Sequence, residues 1–294
     1  MKKVGVGLIG VGWISPWHIR GYKELSDKVE LVAVADIDED KAKKVAEEIG
    51  AKYAVSSYKK LFQLDEVSAV DVSVPTAFHA EISIAALNSG KHVLCEKPFA
   101  RNVRECEEMI SAAEKNNVLL MPGHNRVFFP PHLLASEIIK EGKIGEPKIF
   151  QGNFLNGTPI AKAFKENWRS RKEMGGGVVR EAGVHQIYMA ERFIGKVKSV
   201  SAYIVQLKES EVETGAIAIL EFENGGLGTI ALSWGAGFYD DGERIVGTQG
   251  AIVVNGVEGQ ALRQPPLSIY TNKDRRWEFP NVAFDWDRSL RRGI

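Results

Sequence analysis

Cysteine is scarce: Cys95 and Cys106 are the only two in 294 residues. They give neither a metal-ligand spacing nor a disulfide framework, so a reducing compartment, the cytoplasm, is the simplest setting. Net charge is absent, with 38 basic residues against 38 acidic ones. Such a chain offers nothing to nucleic acid or to an anionic membrane surface. Long apolar runs are missing too; none approaches the ~20 residues of a membrane span. Lys2 and Lys3 lead into glycines and a strand pattern, not into the apolar core of a signal peptide. Without a signal peptide, the sequon Asn156-Gly157-Thr158 reads as a chance match. There is no two-histidine metal spacing, no G-x-S-x-G elbow, no internal repeat and no low-complexity linker. No metal site is expected.

What remains is an ordinary globular composition, 44% hydrophobic and 26% charged, long enough for two domains. Its organising stretch is Val4 to Ser15. Two glycine registers compete there. Gly5, Gly7 and Gly10 spell G-x-G-x-x-G, but leave almost no strand before them. Gly10, Gly12 and Ser15 leave Val4–Ile9 as a buried strand. In that register Gly10 makes the sharp turn and Gly12 lets backbone approach a pyrophosphate. Pro16 then falls in the first helical turn, where a missing N–H costs nothing. The second register is preferred. Asp36 ends the next apolar run, Leu31 to Ala35, about 20 residues beyond the third motif position. A carboxylate there accepts from ribose hydroxyls and repels a 2′-phosphate. Ile37 follows it instead of arginine, so NAD is expected over NADP.

Strand and helix alternate up to about residue 122. Strands are read at Lys52–Ala54, Ala69–Val74, His92–Cys95 and Val118–Met121. Helices are read at Glu39–Ile49, Tyr58–Phe62, Phe78–Asn88 and Val103–Lys115. This predicts a doubly wound parallel sheet over residues 1–122. Ligands bind beyond the carboxyl ends of such strands, so Gly10–Ser15, Asp36, Ser73–His79 and Glu96–Pro98 are expected to converge. Residues 123–294 read differently. Helices at Pro131–Glu141 and Glu181–Ile194 accompany strand signals at Pro147–Asn153, Val197–Leu207, Thr214–Phe222, Gly228–Trp234, Glu243–Gly247 and Ala251–Val254. The expectation is an α+β domain with a large, mostly antiparallel open sheet.

Three groups could do chemistry. Lys97, in Glu96-Lys97-Pro98, stands at a strand end, where an ammonium could polarise an oxygen. The alternative is an exposed loop lysine. Glu181 and His185 are spaced i, i+4, so one helix face could carry a carboxylate that supports an imidazole base. The alternative is a surface Glu–His pair. His124-Asn125-Arg126 lies at the domain junction, where polar residues often line a cleft, or serve as a hinge. His18, His79 and His132 have no partner by spacing.

Gly10-Val11-Gly12-Trp13-Ile14, Asp36, Pro75-Thr76 with His79, Glu96-Lys97-Pro98, Trp168-Arg169, Gly175-Gly176-Gly177, and Gly183 with His185 follow one another in an order that resembles the glucose–fructose oxidoreductase / inositol dehydrogenase / rhizopine-catabolism (Gfo/Idh/MocA) family. The resemblance covers most of residues 1 to 235. It implies a Rossmann domain followed by a sheet domain used for dimer or tetramer contacts. It also implies NAD(P)-linked hydride transfer to or from a secondary alcohol of a sugar, inositol or related polyol. By position, Gly10, Gly12, Trp13, Ile14, Asp36, Ser73, Pro75, Thr76, His79, Glu96 and Lys97 would hold the cofactor. Lys97 and His185 would be the catalytic pair, with Glu181 beside them, and Asn125, Arg126, Trp168 and Arg169 would shape the substrate cleft. Two residues depart from the pattern: Glu181 and Tyr188 each stand where an aspartate is usual. Further helices would be expected after Phe284-Asp285-Trp286. The same resemblance admits a non-catalytic dinucleotide sensor, or a glycoside hydrolase that oxidises its substrate transiently through bound NAD.

Overall fold

The computed structural model describes residues 3–156, 167–208, 210–237, 239–255 and 265–282. Gly157-Thr158 of the sequon, Phe284-Asp285-Trp286 and the arginines after them lie outside the described residues. The chain divides into two compact units between His124 and Asn125.

In the first unit, β1 (Val4–Ile9), β2 (Val29–Ala35), β3 (Tyr53–Val55), β4 (Ala69–Val72), β5 (His92–Cys95) and β6 (Leu120–Pro122) form one sheet in the order β3-β2-β1-β4-β5-β6. Every pairing is parallel. The order reverses between β1 and β4, which opens a crevice at their carboxyl ends. The helices are α1 (Ser15–Glu24), α2 (Glu39–Ile49), α3 (Tyr58–Leu61), α4 (His79–Asn88) and α5 (Val103–Asn116). Local sequence sets their limits. The Asp38 side chain accepts from the Lys41 N–H to start α2, and Gly50, at φ 72°, ends it. Asn102 starts α5 in the same way. Leu8, Val34 and Val72 are fully buried, each contributing about 1.5–3 kcal/mol relative to exposure.

The glycine register follows from packing. A Cβ at Gly5 would lie 1.9 Å from the Glu66 carbonyl oxygen, and one at Gly7 would lie 2.5 Å from the Leu61 side chain. These two glycines serve β1 itself, so the turn belongs to Gly10 and Gly12.

The second unit holds β7 (Pro147–Leu155), β8 (Val197–Val205), β9 (Gly215–Phe222), β10 (Leu227–Ser233), β11 (Asp240–Gly247), β12 (Gly250–Asn255), β13 (Leu267–Thr271) and β14 (Arg276–Glu278). Their order is β14-β13-β12-β11-β7-β10-β9-β8. All neighbours are antiparallel except β7 and β10. Helices α6 (Pro130–Lys140) and α7 (Val184–Phe193) pack on the sheet against β12, β7 and β10. On β9, Ala216, Leu220 and Phe222 are buried while Ile217 and Ile219 are exposed, the period-two signature of a sheet covered on one side.

Two sequence expectations change here. β13 and β14 extend the sheet beyond the last strand anticipated. The helix expected over Glu181–Ile194 begins instead as a π-helical turn, Val179–Gly183, and becomes α-helical only at Val184. The i→i+5 bonding of a π turn alters the side-chain spacing that an i, i+4 argument assumes.

Candidate active site

The turn after β1 is cut to receive a backbone-hugging ligand. Gly10 has φ +92°, and a Cβ there would lie 2.6 Å from the Ser73 carbonyl oxygen. Gly12 has nothing within 4 Å of where a Cβ would be. Helix α1 starts at Ser15 with no side-chain cap and no acidic residue in its first turn. No carboxylate of its own first turn therefore offsets the helix dipole, which favours an anion near the exposed Gly12. Ser15 is buried and donates to the Gly12 carbonyl, 2.9 Å. Asp36 accepts from Val11 N–H through Oδ2 and from Asp38 N–H through Oδ1, both at 2.9 Å. This fixes the carboxylate at the strand end and leaves lone pairs for a sugar diol. Trp13 is 65% exposed and leans on Trp17, ring centroids 4.7 Å apart. These residues fit a dinucleotide.

The neighbouring strand ends are stitched to this turn. Ser73 donates to the Gly10 carbonyl, 3.1 Å, so it supports the turn from behind. Pro75 caps the 3₁₀ turn Thr76–Phe78, in which Thr76 is fully buried, its hydroxyl without a hydrogen-bond partner among the described residues. His79, expected to touch the cofactor, is instead buried at 1% exposure. Its two ring nitrogens lie 2.8 Å from the Pro98 and Val74 carbonyl oxygens. It is a clamp between the loops after β4 and β5, because no ring edge remains for a ligand. The Lys97–Pro98 peptide is cis. Lys97 is partly buried, and its backbone N–H donates to Glu96 Oε2, 2.9 Å.

Beneath Glu96 lies a cluster that sequence spacing did not reveal. His18 Nδ1 is 2.6 Å from Asp71 Oδ2 and its Nε2 is 3.1 Å from Glu96 Oε1. The Tyr22 hydroxyl donates to Asp71 Oδ2, 2.8 Å. Burial opposes charge on His18, but the Asp71 charge and hydrogen bond, with those of Glu96, overcome it and push the imidazole pKa up to about 10. Burial likewise acts to raise Glu96, yet His18, the Lys97 charge and the Lys97 N–H hold its carboxyl below the usual range. Burial pulls His124 down, against the pull of Glu96. The signal in the sequence was Asp71 itself, a carboxylate inside the apolar strand Ala69-Val70-Asp71-Val72.

In the second unit, Trp168 opens a 3₁₀ turn that Asn167 caps by accepting from Arg169 N–H, 3.1 Å. The Arg169 guanidinium lies 4.6 Å from the Trp168 ring centroid, and its Nε donates to Glu181 Oε2, 3.1 Å. Gly176 must be glycine, since a Cβ would sit 2.0 Å from the Arg169 carbonyl oxygen. A Cβ at Gly183 would lie 2.7 Å from the tip of the Leu232 side chain, as the π turn packs against β10. His185 is buried, and its Nδ1 is 2.7 Å from the Tyr188 hydroxyl. That hydroxyl also accepts from Arg126 N–H, 3.3 Å. The structure thus brings Glu181 to Arg169, and His185 to Tyr188.

Asn125 begins a 3₁₀ turn with its Oδ1 buried and without a hydrogen-bond partner among the described residues. Arg126, expected in the substrate cleft, is fully buried. It meets Asp241 Oδ2 at 3.0 Å and Glu243 Oε1 at 3.5 Å. A guanidinium committed to two interior carboxylates is part of the scaffold and is not exposed to a substrate.

Residues 4–124 match the Gfo/Idh/MocA oxidoreductase family, NAD-binding Rossmann fold, and residues 132–253 match the Gfo/Idh/MocA C-terminal domain. The chain is 29% identical to levoglucosan dehydrogenase of Pseudarthrobacter phenanthrenivorans, over all of this chain and 80% of that protein. It is 29% identical to myo-inositol 2-dehydrogenase of Thermotoga maritima, over 86% of this chain and 75% of that protein. Among solved structures, levoglucosan dehydrogenase in complex with NADH superposes with a TM-score of 0.86 at 25% identity, over 100% of this chain and 83% of that one. With the family's two domain models matched in succession along it, one in each compact unit, this chain belongs to the Gfo/Idh/MocA family of oxidoreductases.

Proposed function

We propose that this enzyme transfers hydride between NAD and a secondary alcohol of a sugar or cyclitol. The observation that carries the reading is Lys97 at the end of β5, its backbone locked by Glu96, in a sheet whose first turn fits a dinucleotide. Gly10, Gly12, Trp13 and Ile14 hold the pyrophosphate side of the cofactor, and Asp36 holds the adenosine ribose. Asp36 favours NAD over NADP because a 2′-phosphate would meet its carboxylate, and exposed Ile37 offers no compensating cation. When bound, the nicotinamide supplies the two-electron acceptor.

His185 takes the hydroxyl proton at the ring nitrogen turned away from Tyr188. Tyr188 orients that ring through Nδ1. The Lys97 ammonium stabilises the substrate oxygen as negative charge develops. Glu181 holds Arg169, and Trp168, Arg169 and Asn125 present an aromatic face, a guanidinium and an amide to the polyol. Sugars suit such a lining, since their C–H faces pack on aromatic rings and their hydroxyls pair with fixed polar groups.

A homo-oligomer formed through the second sheet completes the proposal. Tyr203 and Val205 on β8 and Ile217 and Ile219 on β9 share one face of the sheet and form an exposed apolar surface. Free thiols at Cys95 and Cys106 suit the cytoplasm.

The test is NADH formation across a panel of inositols, aldoses and anhydrosugars. Steady reduction of NAD with at least one polyol, lost in His185→Ala, is the expected result. A protein that binds NAD tightly yet reduces none with any of them would be a sensor, and the reading would fall.

A further inference from the structure

His18 takes no part in the roles above, yet its ring is spent on two carboxylates from two strands. It sits on α1, the helix that begins at the dinucleotide turn. Asp71, on β4, faces Nδ1, and Glu96, at the end of β5, faces Nε2. An imidazole serves two carboxylates at once only with both nitrogens protonated. Among the described residues, the other charged or titratable groups around the cluster are Tyr22, bonded to Asp71, the Cys95 thiol, which burial and then both carboxylates push up, and Lys97 and His124 on the Glu96 side.

Stability alone is a poor reason for such a cluster, because buried ion pairs seldom outdo well-packed apolar groups. Asp71 Oδ1 is moreover left without a hydrogen-bond partner among the described residues. What the cluster does fix is Glu96. One of its carboxylate oxygens is held by His18 and the other holds the Lys97 N–H.

We infer that His18 is a positioning residue for Lys97, acting through the Glu96 carboxylate. It thereby ties the helix that starts at the dinucleotide turn to the strand end that carries the reactive ammonium. The inference rests on the role proposed for Lys97.

The test uses full-length protein carrying His18→Gln, Lys97→Ala, or both. Glutamine can still donate, but cannot bridge two carboxylates. In His18→Gln, kcat should fall about 10- to 100-fold, the scale of a catalytic group displaced by about 1 Å. KM for NAD should stay within about threefold, and the Lys97 amide should exchange with deuterium at least about tenfold faster. The His18→Gln loss should vanish in the Lys97→Ala background, where nothing is left to position. Wild-type turnover with unchanged amide exchange would overturn the inference, as would a loss carried in full into Lys97→Ala. If His18→Gln does not fold, nitrogen NMR of the wild-type imidazole decides. Both ring nitrogens should be protonated at about pH 8, and a neutral ring would overturn the inference. If Lys97→Ala turns over normally, the proposed function falls, while exchange at the Lys97 amide still decides the positioning.

Discussion

In the first unit a histidine on a helix is shared by Asp71 and Glu96, carboxylates from two neighbouring strands. In the second unit Arg126 is shared by Asp241 and Glu243, two carboxylates on the one strand β11. Residues two apart on a strand point to the same face, so β11 presents both acids together, and His132 on α6 closes the group at 3.0 Å from Glu243. Burial acts to raise Glu243, yet His132 and then Arg126 keep its carboxyl low. Arg126 also lies 5.5 Å from the Phe154 ring centroid. Each cluster reaches a residue of the proposed chemistry through one backbone N–H. The first does so by accepting from Lys97, the second by donating from Arg126 to Tyr188. The difference lies in the cation. Guanidinium keeps its charge at every pH a protein meets, whereas imidazole can lose it. Arg126 is therefore a brace that keeps its charge, with the imidazole of His132 beside it on Glu243, whereas His18 is, among the described residues, the sole cation between Asp71 and Glu96 and a brace that alkali can release.

That contrast can be broken by substitution. Arg126→Met should cost the second unit about 3–5 kcal/mol, because Asp241 and Glu243 are left buried without their cation; denaturant unfolding read from amide exchange in β11 measures it. A loss below about 1 kcal/mol would show that the pair is not held as described. Asp36→Asn should weaken NAD binding by roughly 1.5–3 kcal/mol, the range for a hydrogen bond to a charged group, and should narrow the preference over NADP. Dissociation constants for both nucleotides check it, and equal weakening of both would contradict the ribose role. Tyr188→Phe should lower kcat by about fivefold, close to the ~1 kcal/mol of one hydrogen bond, with the NAD dissociation constant unchanged.

The contrast can also be sharpened by pH. The His18 pKa is raised in the folded state to about 10 from 6.5. Its contribution to stability is thus complete below 6.5 and is lost as pH rises through about 10. Protection of the amides in β4 and β5, measured relative to the intrinsic hydroxide-catalysed rate, should fall over that interval, with no matching loss from Arg126 around β11. An equal fall in protection across both sheets would erase the distinction.

Much of the fold was legible because hydrophobic period and turn chemistry agreed at each step. The glycine register could be chosen because only one choice left a strand in front of the turn. β13 was missed although Leu267-Ser268-Ile269-Tyr270-Thr271 carries an alternating pattern, and β14 was missed because three residues carry too little pattern to read. In the site, strand-end residues were legible because a parallel sheet always gathers them. The clusters were not. Asp71 and Glu96 are 53 and 78 residues from His18, and only the sheet order β1-β4-β5 brings them together. Glu181 and His185 are spaced as a helical pair, but Glu181 lies in a π turn and also accepts from Arg169, and no local period announces either feature. His79 is expected at the cofactor by resemblance, and Arg126 in the cleft by its place at the domain junction, where polar residues often line one. Both have their hydrogen-bonding atoms turned to the protein's own interior.

The central claim is that Lys97, beyond any contact it makes with the cofactor, acts by stabilising charge on the substrate oxygen. Single-turnover reduction of NAD by Lys97→Ala, with NAD affinity measured on the same preparation, tests it most directly. The account predicts a rate lower by about a thousandfold, the scale of removing one oxyanion donor, with the dissociation constant for NAD within about twofold of wild type. A variant that reduces NAD at the wild-type rate would contradict it, and so would one whose only defect is in NAD binding.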